Sequence, residues 1–116
     1  MVDDDEACRK ATALVLEGAG FKVTTAPDCD EALTALEGSG KWDLLITDIV
    51  MPNRINGFAL ARMARLRRPT LKVIYITGHE VPLEEAVGTV LKKPLEAEEL
   101  IGVVRSVLGM PPEKKA

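Results

Sequence analysis

The sequence predicts an α/β fold in which helices cover both faces of a parallel sheet. Short apolar runs at 44–46 and 73–76 are continuous, which is typical of strands buried on both faces. These runs alternate along the chain with segments of helical periodicity. Strands that alternate with helices are joined by right-handed crossovers, so the sheet is expected to be parallel and doubly wound.

The first half of the chain predicts two helices and two strands. Residues 6–19 follow a helical period and end among glycines. Residues 21–26 are short and β-branched, which is typical of a strand. Asp28 can cap a second helix over 29–36, and the run 42–47 predicts a buried strand.

The second half continues the alternation. A third helix is predicted over 57–67, followed by strands at 73–76 and 89–92. After Pro94, apolar residues recur at helical spacing up to Leu108 and predict the last helix. We therefore expect one domain over residues 1–109 and a flexible polar tail over 110–116.

Composition excludes several classes of protein. Apolar residues make up 47% and charged residues 28% of the 116 residues, which is ordinary for a globular domain. The net charge of −3 argues against a module that binds nucleic acid directly. No apolar run is long enough to cross a membrane. The acidic start and two cysteines without C-x-x-C spacing lead us to expect a cytoplasmic protein.

Chemically active side chains follow the predicted strands. Asp3 and Asp4 come directly after Val2, and Asp48, Thr77 and Lys93 end the later strands. The carboxyl ends of parallel strands share one edge, where such sheets bind their ligands. Three carboxylates placed together require a cation, and Mg²⁺ prefers such oxygen ligands. An aspartate can also act as a nucleophile toward phosphorus.

These motifs resemble the receiver domains of bacterial two-component response regulators. The resemblance is carried, in order along the chain, by Val2-Asp3-Asp4-Asp5-Glu6, Asp48-Ile49-Val50-Met51-Pro52 with Gly57, Thr77-Gly78 and Lys93-Pro94. It covers the chain from Val2 to about Leu108. It implies a flavodoxin-like sheet in the strand order 2-1-3-4-5.

The resemblance also implies a metal site at this edge. Its ligands would be the carboxylates of Asp3, Asp4 and Asp48 and the backbone carbonyl of Val50. Within the acidic pair, Asp4 would bind Mg²⁺ directly and Asp3 would act through a water molecule.

The resemblance further implies a phosphoryl site. Asp48 would accept a phosphoryl group from a histidine kinase or a phosphotransfer protein, and the result would be a change in contacts with a downstream protein. The hydroxyl of Thr77 would move to meet the phosphoryl group, and Lys93 would pair with its oxygens. The Lys93-Pro94 peptide bond would be cis. Neither a membrane nor direct nucleic-acid binding is expected.

The chain departs from the family in four places. Only Met1 and Val2 precede the acidic pair, so we expect a truncated or stub-like first strand. The segment 79–88 is too short for a full helix with its loops, so the family's fourth helix should be short or absent. Val90 stands where the family usually has an aromatic residue, and the loop 52–57 has one apparent extra residue.

These departures leave an alternative open. The chain could be a pseudo-receiver, that is, a binding module of the same fold that works without phosphorylation. An enzyme is not expected, because aspartyl-phosphate hydrolases commonly place a second acid two residues after the nucleophile, and here that residue is Val50.

Overall fold

The computed structural model describes residues 1–38, 40–50 and 56–111. In these ranges four helices and three strands form, in the order α1 (Glu6–Gly18), α2 (Cys29–Glu37), β1 (Leu44–Asp48), α3 (Gly57–Arg67), β2 (Lys72–Thr77), β3 (Thr89–Lys92) and α4 (Ala97–Val107). The predicted boundaries agree with these to within about two residues at nearly every end. The extra residue predicted in the loop 52–57 and most of the predicted tail lie outside the described residues.

The sheet is parallel, as predicted. β1 pairs with β2, and β2 pairs with β3. On the other side of β1, Val2 forms isolated parallel bridges to Thr47 and to Ala26. The segments therefore lie in the predicted order 2-1-3-4-5, although the first is the predicted stub and only the last three are strands in the described residues.

The strand predicted at 21–26 is wrong, since only Ala26 pairs. Its backbone N–H donates to the carbonyl of Met1 at 3.0 Å, and the amino group of Met1 donates to the carbonyl of Thr24 at 2.8 Å. The neighbouring segment offers only residues 1–3, so the earlier residues of 21–26 lie beside no strand. The β-branched composition alone could not reveal this missing partner.

No helix forms between β2 and β3, which confirms the prediction for the family's fourth helix. Residues 79–88 instead contain one turn, in which the N–H of Ala86 donates to the carbonyl of Leu83 at 3.1 Å. Gly88 passes so close to β2 that an added Cβ would lie 2.0 Å from the carbonyl oxygen of Val73. The segment therefore crosses tightly against the sheet.

The core consists of two apolar clusters, one on each face of the sheet. Val73 and Tyr75 of β2 belong to the cluster beneath α2 and α3, whereas Ile74 and Ile76 belong to the cluster beneath α1 and α4. This division explains why β2 is apolar at each position from Val73 to Ile76. None of the described helices is long and apolar enough to cross a membrane.

Candidate functional site

The candidate site lies at the carboxyl edge of the sheet. Asp48 is the last residue of β1, Thr77 is the last of β2, and Lys93 follows β3. Asp3 follows Val2, the residue that bridges to Thr47. The parallel topology therefore brings together the side chains that the sequence placed at strand ends.

Three carboxylates cluster at this edge. Ligand oxygens of Asp3, Asp4 and Asp48 all lie within 4.8 Å of one another. Asp3 and Asp48 are buried, with 1% and 6% of their surface exposed, whereas Asp4 is exposed to solvent. Carboxylates this close repel one another, so the group is suited to hold a hard cation.

Lys93 lies between the two buried carboxylates. Its Nζ donates to Oδ2 of Asp3 and to Oδ2 of Asp48, each at 3.1 Å. Burial by itself would lower the pKa of Lys93, but its hydrogen bonds to Asp3 and Asp48 outweigh burial and raise this pKa above its usual value. The ammonium group therefore stays charged and partly neutralises the acidic cluster.

Asp3 is held by its own backbone and by α1. Its Oδ1 accepts the N–H of Asp5 at 2.9 Å, and its carbonyl accepts Nη1 of Arg9 at 2.9 Å. Sequence analysis did not identify Arg9. Its spacing gave little signal, because Asp3 lies six residues before Arg9 and outside α1.

Asp48 is held between two elements. Its N–H donates to the carbonyl of Val2 at 3.0 Å, and its Oδ1 accepts the N–H of Val50 at 3.3 Å. Gly57, the first residue of α3, lies so close that an added Cβ would be 2.1 Å from the Asp48 carbonyl oxygen. The glycine of the motif thus permits α3 to begin against the Asp48 backbone.

Thr77 is 1% exposed and holds the backbone that follows it. Its Oγ1 accepts the N–H of His79 at 3.1 Å, and its carbonyl accepts the N–H of Lys93 at 2.8 Å. The peptide bond from Lys93 to Pro94 is cis, which confirms that expectation.

Cys8 lies at the rim of the site, a position that sequence analysis did not predict. Burial raises the pKa of the Cys8 thiol, and the adjacent carboxylate of Asp3 raises it further. The thiol is therefore protonated at neutral pH and adds no charge to the cluster.

Comparison with known proteins places this site in a family. The profile of the response regulator receiver domain matches residues 1–105. The chain is 34% identical to the DNA-binding transcriptional regulator NtrC of Salmonella typhimurium over 116 aligned residues. This alignment covers 94% of the chain and 24% of NtrC, so the chain spans about a quarter of that relative.

Solved structures share the fold. A response regulator receiver protein from Sinorhizobium medicae superimposes with a TM-score of 0.84 at 29% identity, covering 93% of this chain and 90% of that one. A CheY-like receiver domain protein from Methanospirillum hungatei gives a TM-score of 0.83 at 30% identity, with the same coverage.

Proposed function

The chain belongs to the response regulator receiver domain family, which accepts phosphoryl groups in two-component signalling, and we propose that Asp48 is its phosphoryl acceptor. A histidine kinase or a phosphotransfer protein would supply the phosphoryl group. The consequence would be a change in the contacts that this domain makes with a downstream protein.

One observation carries the proposal. Lys93 Nζ lies 3.1 Å from an oxygen of Asp48 and 3.1 Å from an oxygen of Asp3. A nucleophilic carboxylate beside a fixed ammonium group and two further acids matches the needs of phosphoryl transfer. In that reaction catalysis comes mainly from positioning and charge stabilisation.

We further propose that Mg²⁺ is the cation of this site. The donor set fits it, because Asp3, Asp4 and Asp48 offer carboxylate oxygens within 4.8 Å of one another and the exposure of Asp4 leaves room for water ligands. The backbone carbonyl of Val50 would complete the protein ligands. Bound there, Mg²⁺ would offset the charge of the phosphoryl oxygens.

Asp48, Lys93 and Thr77 have separate roles in the proposed phosphoryl transfer. A carboxylate oxygen of Asp48 attacks phosphorus, the new P–O bond forms, and the P–N bond to the donor imidazole breaks with its electron pair. Lys93 pairs with a phosphoryl oxygen as a point charge. The hydroxyl of Thr77, one strand away, donates to another phosphoryl oxygen.

The proposal includes two further expectations, one about enzymatic turnover and one about the cellular compartment. The chain is not expected to turn over a small-molecule substrate, since Val50 supplies no side-chain acid two residues after Asp48. The cytoplasm is the proposed compartment, on the basis of the cysteine pattern of the sequence.

Intact-mass spectrometry after incubation with acetyl phosphate and Mg²⁺ tests the assignment. We expect one phosphoryl adduct, and we expect it to disappear in Asp48→Asn and in the presence of a chelator. Asp43→Asn is the matched control, because Asp43 is an exposed acid just before the opposite end of β1. It should accept the phosphoryl group like the unaltered chain.

Persistence of the adduct in Asp48→Asn would overturn the assignment of the acceptor. A folded chain that binds Mg²⁺ and forms no adduct would instead support the alternative of a binding module that works without phosphorylation.

A further inference from the structure

The connection between the acidic pair and α1 is hydrogen-bonded on both sides of Asp4. Oδ1 of Asp3 accepts the N–H of Asp5 at 2.9 Å, and Oδ1 of Asp5 accepts the N–H of Cys8 at 3.0 Å, which caps α1. Asp4 is exposed and forms no hydrogen bond of its own among the described residues. The position of its carboxylate is therefore set by the backbone that leads into it.

Arg9 holds this backbone. Its Nη1 donates to the carbonyl of Asp3 at 2.9 Å. That carbonyl belongs to the planar peptide unit that joins Asp3 to Asp4, so the hydrogen bond fixes the plane and the direction in which the chain enters Asp4.

The short first segment of the sheet makes such a tether necessary. The carbonyls of Met1 and Val2 accept the N–H groups of Ala26 and Asp48, each at 3.0 Å. Strand pairing ends there, and among the described residues the next carbonyl along the chain accepts only Nη1 of Arg9. The side chain of Arg9 thus ties α1 to the chain where the sheet no longer holds it.

Arg9 has two effects on a cation at this edge, and they have opposite signs. Its guanidinium group is a positive charge near the acidic cluster, and this charge alone disfavours a second cation. Its hydrogen bond keeps the carboxylate of Asp4 within 4.8 Å of those of Asp3 and Asp48, which favours one. Charge effects near the surface are screened by salt, whereas groups that orient a metal ligand change affinity strongly. Orientation should therefore dominate.

We propose that Arg9 is a positioning residue of the cation site, which holds the Asp3–Asp4 peptide plane so that the carboxylate of Asp4 faces Mg²⁺. The inference rests on the function proposed above for its choice of cation. Arg9 acts through the backbone of Asp3, so its role is separate from the phosphoryl transfer at Asp48.

Titration of the full chain with Mg²⁺, without a phosphoryl donor, tests this proposal. The amide signals of residues 3–5 in NMR spectra report binding. Arg9→Met removes the donor and keeps an apolar stem, and its Kd for Mg²⁺ should rise about tenfold, the lower end of the effect of removing a group that orients a metal ligand. Arg9→Lys should recover most of this affinity, because a single donor makes the bond and lysine supplies one.

Lys10→Met is the matched control. Lys10 carries the same charge on the next residue, but it pairs with Glu6 at 2.7 Å on the exposed face of α1. Its removal takes away a charge without affecting Asp3, so the Kd for Mg²⁺ should change less than about twofold. Urea denaturation with a chelator establishes that each variant is folded. If Arg9→Met is unfolded, Arg9→Gln takes its place, since its shorter side chain ends before the Asp3 carbonyl.

The rate of phosphorylation by acetyl phosphate gives a second readout. Arg9→Met should form the adduct slowly at low Mg²⁺, and at saturating Mg²⁺ its rate should come within about twofold of that of the unaltered chain. A general loss of structure would not be corrected by more Mg²⁺. A rate that stays low at saturating Mg²⁺ would overturn the proposal.

The remaining outcomes separate this inference from the proposed function. If Arg9→Met binds Mg²⁺ as tightly as the unaltered chain, or more tightly, Arg9 acts only as a charge and the inference is wrong. If Arg9→Lys binds as weakly as Arg9→Met, the hydrogen bond is not the cause. If the unaltered chain binds Mg²⁺ but forms no adduct, the proposed function fails while the role of Arg9 is still decided by the titration. If the unaltered chain does not bind Mg²⁺, both fail.

Discussion

Lys92 and Lys93 are neighbours in the sequence with different environments. Lys93 reaches two buried carboxylates, whereas Lys92 is exposed and pairs with the exposed Glu80. The difference follows from strand geometry, because successive side chains point to opposite sides. A lysine at the carboxyl edge can therefore be part of the site while its neighbour is an ordinary surface residue.

Replacement of Lys93 should expose the repulsion within the acidic cluster. We expect Lys93→Met to lower the free energy of unfolding by about 2 kcal/mol in the presence of a chelator. This is less than the cost of breaking a fully buried pair, because 27% of the Lys93 side chain is exposed. Urea denaturation measures the change.

Lys92→Met is the matched control for that variant. Its effect should stay within roughly 0.5 kcal/mol, as for other surface substitutions. Equal losses in the two variants would mean that the ion pairs of Lys93 with Asp3 and Asp48 do not stabilise the chain.

Helix α3 sets the position of Asp48 through its first residues. Asn56 caps the helix by accepting the N–H of Ala59 at 2.9 Å, and the N–H of Gly57 donates to the carbonyl of Ile49 at 2.8 Å. The helix thus begins directly against the backbone that follows β1. A side chain at position 57 would push the start of α3 away from the backbone of Asp48.

Gly57→Ala should therefore damage both stability and phosphorylation. The added Cβ would lie 2.1 Å from the Asp48 carbonyl oxygen. We expect the free energy of unfolding to fall by roughly 1–3 kcal/mol, as in overpacked cores, and the adduct at Asp48 to form more slowly. Denaturation and time-resolved intact-mass spectrometry measure the two effects.

Gly102→Ala in α4 is the control. No atom lies within 4 Å of an added Cβ there, so alanine should stabilise the helix by roughly 0.5–1 kcal/mol. A Gly57→Ala variant as stable as the unaltered chain would show that α3 can shift without affecting Asp48.

At the scale of the whole molecule, packing is incomplete beside the short first segment of the sheet. Only Val2 bridges Ala26 and Thr47, and an apolar cavity of about 520 Å³ opens beside it. Its walls come from α2, from β1 and from residues 20–24. At the carboxyl edge the segments are hydrogen-bonded, since the N–H of Asp48 donates to the carbonyl of Val2 and the N–H of Asp3 donates to the carbonyl of Ala26.

Filling this cavity should stabilise the fold. Ala35 of α2 lines it and is partly buried, so Ala35→Leu should raise the free energy of unfolding by about 1 kcal/mol through added apolar burial. Ala7→Leu is the control, because Ala7 is exposed on α1 and leucine there buries little. Thermal unfolding measures the melting temperatures of the two variants. Equal melting temperatures would show that leucine at position 35 does not fill the cavity.

Local sequence patterns determined most of this architecture. Apolar runs and helical periods located the four helices and the strands β1 to β3, because burial on two faces leaves a distinct pattern in each kind of element. Parallel topology then required Asp3, Asp48, Thr77 and Lys93 to share one edge. These are consequences of short-range spacing, which a sequence displays directly.

Tertiary structure alone decided which groups meet. The segment 21–26 did not form a strand, because pairing depends on a neighbour and not on composition. Likewise, the contacts of Arg9 with Asp3 and of Tyr75 with Val87 join residues whose spacing carries little signal. A hydrogen bond depends on distances of a few tenths of an ångström, and only the packed chain sets them.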